Sequence, residues 1–111
     1  LQNRFTADFK SAKYAEGQYN MGDFMPELSR FYGIVIYMFA KDHLPPHCHA
    51  KYGEDIGLIN IRTGEMIRGT LPRRALRLVQ DWVELHENEL MENWNEAQKN
   101  HPVFQRIKPL K

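Results

Sequence analysis

Between Arg73 and Asn100 the chain holds no glycine and no proline, and apolar side chains recur at Leu76, Val79, Val83, Leu90 and Trp94, with His86 in the same stripe. Steps of three and four residues place these groups on one face of an α-helix. Pro72 fits the first helical position, where its missing N–H removes nothing. His101-Pro102 closes the segment, because a residue before proline avoids helical dihedrals. The pattern predicts one long helix or two that bend between His86 and Asn88. Charge favours the bend: Asp81 to Asn100 carries six acidic residues and one basic residue. Glu87 and Glu89 would then lie at the positive pole of a second helix.

The residues before Pro72 have a different period. Gly33 to Ala40, GIVIYMFA, is β-branched or aromatic at five of eight positions, too short for a helix, and reads as a central strand. His47 to Tyr52 alternates, with His47, His49 and Lys51 on one face and Cys48, Ala50 and Tyr52 on the other. Turn residues at Tyr52 to Asp55 lead into a strand from Ile56 to Arg62, and Thr63-Gly64 leads into a short strand from Glu65 to Gly69. The fold class expected is α+β: a three- to four-stranded antiparallel meander packed against one long or two consecutive C-terminal helices. Phe104, Ile107 and Leu110 form a tail expected to lie back on the domain. Trp82 and Trp94 make the helical segment apolar on more than one flank, so a face is left for a partner unless an N-terminal arm or this tail covers it.

With 111 residues, 42% of them hydrophobic, the chain supports one core and not two. Residues 25–111 are expected to be that domain, and residues 1–24, which lack sustained periodicity, an extension or a docked arm. Cys48 is the only cysteine, no secretory leader is recognisable, and the apolar run Phe31 to Ala40 is about half a membrane span. A cytoplasmic protein without a membrane span is expected. The net charge of +1 argues against a nucleic-acid coat protein.

The least ordinary stretch is Asp42 to Ala50, DHLPPHCHA, with three of the five histidines. Pro45 and Pro46 stiffen it, so that His43, His47 and His49 are candidate acid–base groups presented with little entropy left to lose. In the more conservative reading these histidines pin the loop to the sheet through backbone and carboxylate hydrogen bonds. A divalent metal held by Asp42, His43, His47 and His49 is a weaker alternative, because no second cysteine and no His-Glu-x-x-His pattern accompanies them. No other cofactor is expected. Cys48, one position out of step with the imidazoles, is expected in the core. His86 is expected as a satisfied residue on the helix stripe, and His101 as a group at a helix end.

Arg73 and Arg74 stand at a helix start, where the dipole disfavours cations by about 0.3–1 kcal/mol each. Salt bridges to Glu65, Asp81 or Glu84 would compensate; so would an anionic partner held by Arg68, Arg73, Arg74 and Arg77 together.

Several of these segments resemble a family. Met25 to Ile36 (MPELSRFYGIVI), Asp42-His43-x-Pro-Pro-His47-x-His49, Ile59-Asn-Ile-x-Thr-Gly-Glu65, Gly69-x-Leu-Pro-x-Arg-Ala75, Trp82-x-Glu-Leu-His86 and Glu89-Leu-x-Glu-Asn-Trp94 are similar to a widespread bacterial family classed as a domain of unknown function. The resemblance runs from Met25 to about Leu110. It implies a small protein encoded beside a second small domain, in an arrangement like a toxin–antitoxin pair, and it carries over no catalytic residues. The function expected is the toxin-like component of such a module, acting on its cognate small protein and on RNA. RNA cleavage would use His47 and His49 as acid and base, with Arg73 and Arg74 on the phosphate. The alternatives are a non-enzymatic protein-binding module and a metal-dependent hydrolase. A homo-oligomer is a further option.

Overall fold

Antiparallel pairing between neighbours in sequence builds the first half of the fold. The computed structural model describes residues 25–111, so the expected extension over 1–24 lies outside the described residues. Five strands, β1 (Glu27–Phe31), β2 (Ile34–Tyr37), β3 (His47–Tyr52), β4 (Asp55–Asn60) and β5 (Met66–Gly69), lie side by side in chain order. Each is antiparallel to the one before. Two helices follow, α1 (Arg73–Leu85) and α2 (Glu87–Ala97). The α+β architecture is the expected one, with one strand more.

The additional strand is β1. Its residues ELSRF carry two apolar side chains and no β-branched one, so the period-2 signal is weak there. A hairpin ties it to the sheet instead. Tyr32 and Gly33 both take positive φ, +49° and +80°, the sign pattern of a type I′ turn, whose twist matches that of the strands it joins. Gly33 therefore belongs to the turn and not to the central strand. Gly69 has a stricter reason: at φ +89° a Cβ would lie 2.1 Å from the Ile56 carbonyl oxygen, so only glycine lets β5 close on β4.

The helical segment is two helices, divided at His86 (φ −120°, ψ 28°), where the bend was expected. Glu87 and Glu89 occupy the first turn of α2, at the favourable end of its dipole. Pro72 stands one residue earlier than expected, as the N-cap of α1, and α2 ends at Ala97, so exposed His101 lies beyond the helix and does not cap it.

Ile36, Cys48, Ala50 and Ile59 point from the sheet towards Val79, Trp82, Val83 and Leu90, and all are fully or almost fully buried. Each buried Ile, Val and Leu among them stabilises the fold by about 1.5–3 kcal/mol. The tail packs where the sequence placed it. Ile107 donates its N–H to the Leu28 carbonyl at 2.8 Å, and Trp82 Nε1 donates to the Lys108 carbonyl at 2.8 Å. Asn93, buried on α2, both donates to the Gln105 carbonyl and accepts from the Gln105 N–H, as a neighbouring strand would. Trp82 and Trp94 are thereby buried and offer no apolar face to a partner. No helix among the described residues is long and apolar enough to cross a membrane.

Candidate functional site

The connection from β2 to β3, residues 38–46, is long for a hairpin, and it is tied down at several points. The Lys41 N–H donates to the Ala97 carbonyl at 2.8 Å, fastening the loop to the end of α2. The Pro46 carbonyl accepts from Ile61 N–H at 3.0 Å, just past β4. Asp42 Oδ1 accepts the His43 N–H at 2.9 Å, a local bond that turns the aspartate side chain inward. Pro45 and Pro46 fix their own φ angles. The loop thus carries Asp42 back over the start of β3.

There Asp42 meets two imidazoles. His47 and His49 lie two residues apart on one face of β3, opposite to Cys48 and Ala50. Asp42 Oδ2 accepts from His47 Nε2 at 3.0 Å and from His49 Nε2 at 3.3 Å. His47 Nδ1 donates to the Pro45 carbonyl at 2.8 Å. Both nitrogens of His47 therefore face acceptors, an arrangement that the imidazolium satisfies completely. Burial by itself would raise the Asp42 pKa. The hydrogen bonds and charge of His47 and His49 outweigh it and hold the carboxyl well below the usual carboxylate range.

Aromatic rings wall the cluster. Tyr37, directly across from His49 on β2, stacks on it with centroids 5.0 Å apart, and Phe39 meets the same ring edge-on at 4.7 Å. Trp94 on α2 lies 5.3 Å from His47. His47 and His49 are 4% and 3% exposed, whereas the His43 side chain is 67% exposed and its Nε2 is 4.0 Å from Asp42 Oδ1. This differs from the expectation that the loop presents His43, His47 and His49 together as acid–base groups. Two converge and are enclosed, and His43 stands outside them. An acid–base pair working on a substrate in solvent is not what this geometry offers.

Nor do the arginines gather at the histidines. β3 starts at the end of the sheet that carries the 38–46 loop. Two antiparallel reversals later, β5 runs towards the other end, and α1 begins beyond it. Arg73 and Arg74 therefore belong to the opposite end of the sheet from His47, and Arg77 lies along α1 between them and Gln80, which reaches the Gly64 carbonyl. Arg68 alone shares a row with the cluster: it pairs with Leu58, which pairs with His49, two strand spacings or about 10 Å away. Arg73, Arg74 and Arg77 are exposed, and the compensating salt bridges expected with Glu65, Asp81 or Glu84 are absent among the described residues.

The other candidates fall where the conservative readings put them. Cys48 is fully buried, and burial pushes its thiol up to about 12, which leaves it no nucleophile. His86 packs on Trp82, and its Nδ1 bonds to Glu89 Oε1, away from the cluster. Tyr37, Phe39 and Trp94 were not singled out as parts of a site. The i, i+2 spacing of Tyr37, at the end of β2, and Phe39, just beyond it, was a usable signal, whereas Trp94 is 47 residues from His47 and had none.

Comparison with known proteins gives one finding. A family model described as "Domain of unknown function (DUF4160)" matches residues 33–95, which contain β2 to β5, α1, most of α2 and the whole Asp42–His47–His49 cluster. No curated protein and no solved structure matches the chain.

Proposed function

The chain belongs to the DUF4160 domain family, and from that membership we propose that it acts by binding, as the toxin-like component of a two-gene bacterial module whose other product docks on the 42–46 loop. One observation carries this reading. His47 and His49 are enclosed and committed to a single carboxylate oxygen, while Leu44, between them and Asp42 in sequence, is 75% exposed at the tip of the same loop. The cluster holds the loop, and the loop presents an apolar side chain at little entropic cost on binding. The two-gene setting is what the family resemblance implies.

Inducible expression in a bacterial host, alone and with the neighbouring gene, tests the reading. Growth arrest relieved by co-expression is the expected result, together with a stable complex of the two purified proteins. Leu44→Asp should weaken that complex by about tenfold or more, with a melting temperature within about 2 °C of the parent. No arrest and no complex would overturn the proposal.

A second reading, contact with RNA or another polyanion, is favoured by the exposed Arg73, Arg74 and Arg77 at the start of α1. Here stability and binding separate by sign. Arg73→Glu with Arg74→Glu should stabilise the fold, by about 0.3–1 kcal/mol per site through the helix dipole, and should weaken RNA binding and its salt dependence. Unfolding curves and filter binding at two salt concentrations check both. Binding unchanged by the double substitution would remove this reading.

A further inference from the structure

We propose that Asp42 Oδ2, His47 Nε2 and His49 Nε2 form a binding site for a divalent first-row cation, of which zinc is the reference ion. Each of the three residues offers a ligand atom within 4.8 Å of the other two, and they come from two separately anchored pieces of chain, the 38–46 loop and β3. The two spacings that meet at Asp42 Oδ2 suit an ion. Ligands about 2.0–2.1 Å from one zinc are about 2.9 Å apart at a right angle and about 3.4 Å apart at the tetrahedral angle. The two separations from Asp42 Oδ2, 3.0 and 3.3 Å, fall in that interval.

His47 has the outer contact that a metal-bound imidazole uses. The His47 Nδ1–H donates to the Pro45 carbonyl, which fixes the ring and directs Nε2 at Asp42 Oδ2, where an ion would take the place of the Nε2 proton. Tyr37, Phe39 and Trp94 exclude water around the imidazoles. The Asp42 side chain is 14% exposed, more than either imidazole. Two histidines and one carboxylate leave coordination positions open. Water would fill one, or His43, whose Nε2 is 4.0 Å from Asp42 Oδ1. An ion in this place would displace the protons that the Nε2 atoms otherwise share with the carboxylate. Metal uptake and partner docking are separable, because the first needs only these three side chains.

The test uses the full chain without a histidine tag. After equilibration with zinc and removal of free metal, elemental analysis should give about one zinc per chain, and iron(II) and manganese(II) are offered in parallel under anaerobic conditions. Asp42→Asn and His49→Ala should each weaken binding by about tenfold or more, and His43→Ala by less. A measurement on the unaltered protein covers the case in which those variants fail to fold. In long-range proton–nitrogen NMR spectra, zinc should move the Nε2 resonances of His47 and His49 and leave His47 Nδ1 protonated. Fewer than about one ion of any of the three metals per ten chains, with the imidazole spectra unchanged, would overturn the proposal. So would zinc retained in His47→Ala with His49→Ala, which would place the ion elsewhere.

Discussion

Replacing Asp42 with asparagine lowers the stability of the metal-free protein by about 3–5 kcal/mol, because it takes the carboxylate from two buried imidazoles and leaves their Nε2 groups facing an uncharged amide. For a domain of this size the melting temperature should fall by about 12 °C or more. His43→Ala, next in the chain but exposed, should change stability by less than about 0.5 kcal/mol. Urea unfolding of the two variants beside the parent protein checks the contrast. A loss below about 1 kcal/mol for Asp42→Asn would mean that the pair returns no more than its desolvation costs. The acid dependence has a definite sign. Asp42 is held below its ordinary pKa in the fold, so its contribution is complete above the unfolded value of about 3.9 and is lost as pH falls below that towards the folded value.

Trp82→Ala costs a similar amount, about 3–5 kcal/mol, for a different reason. The indole is fully buried, packs against Phe31 with centroids 5.4 Å apart, and donates through Nε1 to the Lys108 carbonyl. Its removal leaves a cavity between α1 and β1 and frees the tail at the same time. Trp82→Phe retains most of the packing and loses the hydrogen bond, and should cost about 1–2 kcal/mol. Amide exchange at Ile107 distinguishes the two roles, since its N–H is bonded to Leu28 across the same contact. Protection of Ile107 that survives Trp82→Ala at the parent level would show that the tail is held without the indole.

Much of the fold was legible because the relevant signals are local. The alternation in His47 to Tyr52 matched β3 residue for residue, and the acidic turn at Glu87 and Glu89 marked the start of α2. β1 was missed because its pairing is secured by the Tyr32-Gly33 turn and by Ile107 on the tail, not by its own alternation. The candidate site was half legible. The sequence put Asp42, His47 and His49 among the groups that matter and set the two imidazoles on one face. It also grouped His43 with them and brought the arginines to the same place, and the fold does neither.

Sequence alone therefore determined the order of the elements from β2 onward, the two faces of β3, and the break between the helices. These follow from side-chain period and from dipole charge, which act over a few neighbouring residues. Tertiary structure decided which groups meet. Asp42 reaches the imidazoles because hydrogen bonds to α2 and to the end of β4 fold its loop over β3, and two antiparallel reversals carry Arg73 to the far end of the sheet. Encounters of that kind depend on the path of the whole backbone, which no short window of residues contains.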